Sequence, residues 1–342
     1  MVISKKNRKD GIVVKNFNIF NEEAKHVSNF SIIQTYGDDL TSKNYITNPS
    51  IAREEELKKL IIILLTPEKS GLLVGKPGIG KTAIVEGLAY LIQRDEVPNA
   101  LKGYRIIKIN STSLVGVIEI DGKEEMIMNI FVEEIKKLEK TIIFIDEIHT
   151  LIGARGSGPM DLANMLKPAL DRGDVKAIGA TTTIEYNTYI IRDRAFLRRF
   201  EKIDILEPDE ATTVKILLGS LPKIEKQTGI KFKYNEYIAK QLIESIVSAT
   251  SEFKRIYGLS AMYPDVSFSV LTQAFSQALF KNKSEVDIVD VYNAIKTSKR
   301  IYPDSIIKEL DLFREKFAKL LKEEGIVLPV VTLDEIKVEE TL

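Results

Sequence analysis

The sequence predicts an α/β fold in which a central parallel sheet is flanked by helices and followed by a small all-helical domain. Two observations lead to this prediction. Between residues 46 and 207, short apolar runs alternate with amphipathic segments, which is typical of a parallel sheet covered on both faces. From residue 208 to 325 the helical period of 3.6 residues dominates. Residues 1–45 and 326–342 give weaker signals, and we treat them as an N-terminal extension and a C-terminal tail.

The predicted elements follow one another along the chain. Gly11–Phe20 mixes β-branched and aromatic residues, which favours a strand. Ser50 is predicted to cap a helix from Arg53 to Leu65, since glutamates stand near its positive N-terminal end, and Pro67 ends it. The further predicted strands are 71–74, 104–109, 141–145 and 175–180, and the helices between them are 81–93, 124–138 and 160–170. The predicted helices of the second domain are 211–221, 236–248, 268–280, 287–297 and 306–324.

Composition narrows the range of functions. The 342 residues are enough for about two domains. Lys and Arg total 49, and Asp and Glu also total 49, so the formal net charge is zero. A protein held to nucleic acid by bulk charge usually has a basic excess, so nucleic acid is a possible but not a favoured partner.

Residues that are rare or absent exclude several kinds of site. Cysteine is absent and histidine occurs only at His26 and His149, which excludes disulfides, Cys-ligated zinc and a multi-histidine metal site within one chain. The longest apolar run, Leu60–Leu65, is far shorter than the roughly 20 residues that span a bilayer. The N-terminal sequence has no apolar signal segment. We therefore expect a cytoplasmic protein without membrane association.

A phosphate-binding motif follows the first apolar strand. Residues 75–82 read GKPGIGKT and match G-x-x-x-x-G-K-[ST]. The glycines let backbone N–H groups point at phosphate, Lys81 is expected to reach the β- and γ-phosphates, and the Thr82 hydroxyl is expected to bind Mg²⁺. The predicted nucleotide-binding residues here are Gly75, Pro77, Gly78, Ile79, Gly80, Lys81, Thr82 and Ala83. The alternative is an ordinary glycine turn, which the strand before it and the helix after it disfavour.

An acidic pair ends a later apolar strand. Ile142–Ile145 is followed by Asp146 and Glu147, and the carboxyl ends of such strands face the ligand crevice of an open α/β sheet. Asp146 is expected to hold the metal ion, and Glu147 to polarise the water that attacks the γ-phosphate. A strand that merely meets a polar loop is the alternative if the pair is taken alone. The phosphate-binding motif makes the functional interpretation the stronger one.

With these two motifs, the chain resembles a P-loop ATPase of the AAA+ superfamily, and in particular the first nucleotide-binding module of Clp-type chaperone ATPases. The resemblance runs from about Tyr36 to about residue 280. It rests on GKPGIGKTAIVEGLA (75–89), EVPNALKG (96–103), FIDEIHTLIGA (144–154), NMLKPALDRGDVKAIGATT (164–182) and LRRF (197–200). It implies ATP and Mg²⁺ as cofactors, and a helical lid domain after the α/β domain.

The resemblance also assigns roles to single residues. Thr182 corresponds to the polar sensor residue that helps to hold the attacking water, and the alternative is an ordinary turn threonine. Arg198 and Arg199 correspond to arginine fingers that enter a neighbouring subunit's site, which implies a homo-oligomer, a hexameric ring or spiral; the alternative is a solvated basic pair. Ile51 and Ala52 correspond to the segment that packs on adenine, with a hydrophobic staple as the alternative.

Several positions depart from the family pattern. Residues 116–122 read GVIEIDG, whereas family members carry a basic-aromatic-Arg-Gly segment that grips polypeptide in the central pore, so general threading is in question. Val266 stands where the family has a lysine, so nucleotide contacts from the lid are expected to be weaker. No second phosphate loop and no counterpart of the peptidase-docking loop is recognisable, and a ring peptidase is not an expected partner.

The sequence therefore predicts an ATP-hydrolysing ring protein of Clp type that remodels or disassembles a protein partner. Two alternatives remain open at this stage. One is an ATPase accessory to nucleic-acid transactions, such as a loader or regulator, which only its partner would distinguish. The other is a nucleotide-gated scaffold with little turnover, against which the acidic pair and the two arginines argue.

Overall fold

The structure, a computed structural model, describes residues 13–14, 31–120, 123–152, 175–256, 262–333 and 335–336. The chain divides into two compact units. The first comprises Met1–Lys43, Glu55–Val74 and Val85–Asp204, and the second comprises Asn44–Glu54, Gly75–Ile84 and Ile205–Leu342. The domain limits read from the sequence remain a prediction. The helix expected over 160–170 lies outside the described residues.

The first unit is built on a six-stranded sheet. The strands of this unit are β1 (Val13–Val14), β2 (Gly37–Asp39), β3 (Ser70–Val74), β4 (Arg105–Asn110), β5 (Val117–Ile120), β6 (Lys123–Met126), β7 (Thr141–Asp146), β8 (Val175–Thr181) and β9 (Phe200–Asp204). The sheet order is β2-β4-β7-β8-β3-β9, and only the edge strand β2 is antiparallel to its neighbour. The predicted, mainly parallel sheet is confirmed.

The register of the parallel strands aligns their carboxyl ends. Asn110 of β4 pairs with Asp146 of β7, and Val74 of β3 pairs with Thr181 of β8. Residues that end these strands, or directly follow them, therefore meet at one edge of the sheet, where open α/β sheets bind ligands. The predicted phosphate-binding motif at residues 75–82 follows β3 in the chain.

Helices of the first unit cover this sheet. They are α1 (Ile32–Tyr36), α2 (Glu54–Leu65), α3 (Lys81–Gln93), α4 (Ile127–Ile135), α5 (His149–Ile152), α6 (Thr183–Glu185) and α7 (Arg194–Arg199), with α2 and α3 each starting in the second unit. The core includes Phe131 of α4 and Phe196 of α7, and the Phe196 ring stacks on that of Phe200 at a centroid distance of 4.0 Å. This packing ties α7, which carries both predicted finger arginines, to β9.

One predicted helix cap and one predicted helix start are wrong. Helix α2 begins at Glu54, and Ser50 does not cap it: the Ser50 hydroxyl donates to Asn48 Oδ1 at 2.8 Å within a turn that precedes the helix. The helix expected from residue 124 begins only at Ile127, because Lys123–Met126 pairs as β6 with β5. Pairing with an apolar strand overrides the helix preference of this polar segment.

The second unit is mainly helical. Its helices are α8 (Glu210–Thr228), α9 (Glu236–Ala249), α10 (Asp265–Phe280), α11 (Ile288–Lys296), α12 (Pro303–Lys316) and α13 (Ala318–Glu324). The predicted end of the first helix before Pro222 is wrong, since α8 continues through this proline to Thr228. The long helix expected over 306–324 is divided at Phe317. A parallel pair of two-residue strands, β10 (Lys231–Phe232) and β11 (Glu285–Val286), joins the helices.

Cores of both units consist of the apolar faces that the sequence pattern indicates. In the second unit, side chains of α8 to α12 form one cluster, with Leu271, Phe275 and Phe313 almost fully buried. Within the part of the chain that the structure describes, no helix has both the length and the apolar character needed to cross a membrane.

Candidate functional site

The loop at residues 75–82 has a conformation that its glycines make possible. Gly78 and Gly80 have φ of 76° and 96°, a region that residues with a Cβ rarely adopt. A Cβ on Gly75 would lie 2.5 Å from the carbonyl oxygen of Ile205 and 2.3 Å from Ile79 Cδ1. Glycine is therefore required at position 75 by close packing, and at positions 78 and 80 by the backbone. Such turns expose successive N–H groups to an anion.

Lys81 is held against the same loop. Its ammonium donates to the carbonyl oxygens of Gly75 at 2.8 Å and Lys76 at 3.0 Å. Helix α3 starts at Lys81, and its first turn contains no acidic residue, so the positive end of the helix dipole faces no carboxylate of its own. Ammonium, helix terminus and exposed amides together favour a polyanion at this loop.

A buried arginine that the sequence analysis did not single out supports the loop. Arg53 is 6% exposed, and its guanidinium donates to the carbonyl oxygens of Ile79 at 2.8 Å and Leu206 at 3.1 Å. A buried guanidinium that bonds two backbone carbonyls fixes the distance between them. Arg53 therefore holds the loop at residues 75–82 to the segment that enters α8. No local sequence signal reveals this role, since Arg53 stands in a charged helix start.

The two residues predicted to contact adenine directly precede this arginine in the second unit. Ile51 packs on α8, where a Cβ on Gly219 would lie 2.4 Å from Ile51 Cδ1. Ala52 has φ of 55°, a left-handed conformation that costs a residue with a Cβ about 1 kcal/mol or more. The turn before α2 thus keeps a strained residue beside the apolar Ile51, as functional turns often do.

The start of α10 brings an ion pair close to the loop. Asp265 lies so close to Gly78 that a Cβ there would be 2.7 Å from Asp265 Cβ, and Arg300 Nη1 is 3.3 Å from Asp265 Oδ2. Val266 stands at the position where the family has a lysine, and it is fully buried in the core. Arg300, which the sequence analysis did not identify, therefore pairs with the carboxylate that lies beside Gly78.

In the first unit, Asp146 ends β7 with both carboxylate oxygens engaged. Its Oδ1 accepts from the backbone N–H of Glu147 at 3.1 Å, and its Oδ2 is 3.1 Å from the ammonium of Lys108 on β4. Glu147 follows in a left-handed conformation, with φ of 52°, and its side chain is exposed. The N–H of Ile148 donates to the Ala180 carbonyl at 3.1 Å, which fixes the turn to β8. The turn therefore directs Glu147 to solvent next to Asp146.

Polar groups after β8 form a hydrogen-bonded cluster. Thr182 caps α6 in a capping box: its hydroxyl accepts from the N–H of Glu185, and its own N–H donates to Glu185 Oε2 at 2.9 Å. His149 Nδ1 lies 3.2 Å from both Glu185 Oε2 and Thr181 Oγ1. Burial raises the pKa of Glu185, but the bonds from Thr182 and Thr181 and the charge on His149 outweigh it, so the pKa is lowered. These contacts orient Thr182 and give His149 a structural role.

The two predicted finger residues end α7. Arg199 donates to the Ala195 carbonyl one turn earlier at 3.3 Å, while Arg198 is exposed. No carboxylate among the described residues lies within ion-pair distance of the Arg198 guanidinium. Lys69 donates to the Arg198 carbonyl at 2.9 Å, which anchors the end of the helix. The backbone is thus fixed, whereas the Arg198 side chain is available to a further group.

The segment that departs from the family pattern forms part of a small sheet. Val117–Ile120 and Lys123–Met126 pair as antiparallel β5 and β6, and β1 pairs with β5 on its other side. Ile118 is 1% exposed, whereas Val117 is 41% exposed. Asp121 and Gly122 lie outside the described residues. The apolar Ile118 therefore serves the core and is not presented to solvent.

The predicted site residues fall into two sets, one in each unit. Ile51, Ala52 and residues 75–83 belong to the second unit, and Asp146, Glu147, Thr182, Arg198 and Arg199 to the first. No group of three or more Asp, Glu, His or Cys residues within the described ranges could hold a metal by itself. Thr82 of the second unit and Asp146 of the first each carry side-chain oxygen atoms of the hard type that Mg²⁺ prefers.

Comparison with known proteins gives a consistent result. Residues 71–206 match the profile of the ATPase family associated with various cellular activities, AAA. Over 266 residues the chain is 37% identical to the chaperone protein ClpB of Bacteroides thetaiotaomicron, a match that covers 76% of this chain and 29% of that protein. Over 236 residues it is 40% identical to ClpB of Aquifex aeolicus, which covers 68% of this chain and 22% of that protein.

Solved structures with a similar fold include the Hsp104:casein complex of S. cerevisiae in its extended conformation. The TM-score is 0.66 and the identity 30%, over 91% of this chain and 52% of that chain. The closed state of Hsp104 with ATPγS and FITC casein matches with a TM-score of 0.65 and 29% identity, over 91% of this chain and 52% of that chain. The chain thus spans between about a fifth and about a third of the length of the curated relatives, and about half of the solved chains.

Proposed function

Because residues 71–206 belong to the AAA family of ATPases and the chain is similar to Clp-type chaperones, we propose that it binds ATP at the loop 75–82 and hydrolyses it. The observation that supports this most strongly is the loop itself. Gly78 and Gly80 turn the backbone at positive φ, Lys81 lies on the loop carbonyls, and α3 begins without an acidic residue. All three features favour a triphosphate over a neutral ligand.

We propose that each polar residue acts on a different part of the reaction. Lys81 exchanges its carbonyl partners for the β- and γ-phosphates, and Thr82 and Asp146 are the residues that would hold Mg²⁺. Bound Mg²⁺ would neutralise part of the charge on the transferring phosphate. Glu147 takes up the proton of the attacking water, which Thr182 helps to orient. Arg198 and Arg199 act on the γ-phosphate of a second copy, so the active form is a homo-oligomer, a hexameric ring or spiral.

The proposed substrate is a protein. This rests on the relatives, which are chaperone proteins, and on the structural neighbour, which is a complex with casein. Zero net charge agrees with a protein partner better than with nucleic acid. This segment has an exposed Val117 and an acidic Glu119 two residues later, whereas family members carry an aromatic residue that grips polypeptide. We therefore propose that a folded or partly folded partner is remodelled rather than threaded at length.

Replacing Gly75 by alanine tests the loop directly. The added Cβ must displace the Ile205 carbonyl or deform the loop, so we expect the affinity for ATP to fall at least tenfold, equivalent to about 1.4 kcal/mol. The affinity is measured with a fluorescent ATP analogue. The matched control is Gly229→Ala, where φ is 76° but no atom lies within 4 Å of the new Cβ.

Gly229→Ala is expected to cost stability without changing ATP affinity, because Gly229 terminates α8 and belongs to no predicted site. Equal affinities for the Gly75→Ala protein and the unsubstituted protein would contradict the proposal. We also expect the unsubstituted protein to bind the fluorescent ATP analogue with measurable affinity. If it does not bind the analogue, the proposal that the protein binds ATP is contradicted.

A further inference from the structure

A lysine outside the proposed reaction contacts the proposed metal residue. The Lys108 ammonium lies 3.1 Å from Asp146 Oδ2, and the two side chains are 29% and 27% exposed, so water screens the pair only in part. Lys108 is on β4, two residues before Asn110, which pairs with Asp146 across the sheet. The contact is therefore diagonal between neighbouring parallel strands, on the sheet edge that holds the acidic pair.

The position of Lys108 is fixed by more than the carboxylate. Its ammonium is 5.6 Å from the centroid of the Phe144 ring, so the aliphatic stem lies along the face of β7. Phe144 is itself fully buried in the core. Since Asp146 Oδ1 already accepts from the N–H of Glu147, the ammonium holds the second oxygen of the same carboxylate.

We propose that Lys108 is a positioning residue of the nucleotide site. It holds the Asp146 carboxylate in place before Mg²⁺ enters. It then competes with Mg²⁺ for the same carboxylate oxygen, Oδ2. Lys108 thus sets the Mg²⁺ concentration at which the site fills. This inference rests on the proposed function, because it assumes that Asp146 faces a Mg²⁺–nucleotide complex.

The charges predict effects of opposite sign on metal and nucleotide. An ammonium next to Asp146 repels Mg²⁺, so its removal strengthens Mg²⁺ binding. The same ammonium attracts the phosphates of a nucleotide that carries no metal, so its removal weakens binding of that nucleotide. A residue that only supported the fold would change both affinities in the same direction or neither of them.

The experiment compares full-length Lys108→Met, which keeps the stem on Phe144, with Lys108→Arg, which keeps the charge. A fluorescent, non-hydrolysable ATP analogue is titrated in EDTA and then, at fixed analogue, with Mg²⁺. For Lys108→Met we expect Mg²⁺ to bind more tightly, with a half-saturating concentration about 3- to 10-fold lower. We expect the metal-free analogue to bind more weakly, with a dissociation constant about 3- to 10-fold higher. Lys108→Arg should restore both values to within about twofold of the unsubstituted protein.

Lys136→Met is the matched control, because Lys136 pairs with Glu133 at the end of α4 and has no part in the site. It should leave both quantities unchanged. The inference would be overturned if the affinities of Lys108→Met for Mg²⁺ and for the metal-free analogue both rose, both fell or both stayed the same. In that case, Mg²⁺-dependent binding of the analogue by the unsubstituted protein would still uphold the proposed function. If the unsubstituted protein binds no analogue with or without Mg²⁺, the proposed function and this inference fail together.

Discussion

Replacing both Arg198 and Arg199 by alanine is expected to slow ATP hydrolysis about 10³- to 10⁵-fold while leaving ATP affinity within a few-fold of its original value. Guanidinium groups that reach the γ-phosphate stabilise charge that develops in the transition state, and little of that charge is present when ATP first binds. Arg198 is exposed, and Lys69 donates to its backbone carbonyl, which is compatible with this proposed role. The measurement is the steady-state rate of phosphate release at saturating ATP.

Arg194→Ala supplies the control for this change. Arg194 is exposed and begins the same helix α7, so its removal takes away a positive charge without touching the helix end. The rate should change by no more than about twofold. A double variant of Arg198 and Arg199 that hydrolyses ATP as fast as Arg194→Ala would show that the two arginines form a solvated pair.

Replacing Glu147 by glutamine is expected to lower the hydrolysis rate about 10²- to 10⁴-fold, because the amide cannot accept the proton of the attacking water. Binding should be retained, since glutamine keeps the size of the side chain and the proposed role of Glu147 is in the reaction rather than in binding the phosphates. The turn at φ 52° holds this residue in the exposed position after β7. Single-turnover hydrolysis and analogue affinity, measured on the same preparation, separate the two effects.

The matched control is Glu139→Gln. Glu139 is exposed and precedes the opposite, amino end of β7, so it loses the same charge away from the strand ends that carry the predicted site. Its hydrolysis rate should match that of the unsubstituted protein. Hydrolysis by Glu147→Gln at a comparable rate would remove Glu147 from the reaction.

Local signals explain how much of the fold the sequence could predict. Helix α3 is predicted from residue 81 to 93 and observed over the same range, since the glycine loop before it and its apolar spacing both lie within the segment. The strands at 71–74, 141–145 and 175–180 are observed within one residue at each end. Continuous apolar runs of this length have few alternatives in a sheet that is covered on both faces.

Features that depend on distant residues could not be predicted in this way. Strand β6 forms only because Lys123–Met126 meets β5, and Ser50 does not cap α2 because Ala52 turns the backbone first. Arg53 and Lys108 contact site residues 26 and 38 positions away. An isolated arginine or lysine in the sequence carries no signal of such distant partners, because the fold alone brings them together.

The central claim is that one copy's arginines complete the ATP site of another copy, and mixing two inactive proteins tests it most directly. Glu147→Gln subunits keep Arg198 and Arg199, while the double arginine variant keeps Glu147. Mixed oligomers would pair an intact acid with intact arginines at some interfaces. We expect the mixture to hydrolyse ATP well above the sum of its two components. A mixture that forms joint oligomers yet stays as inactive as its components would contradict the claim.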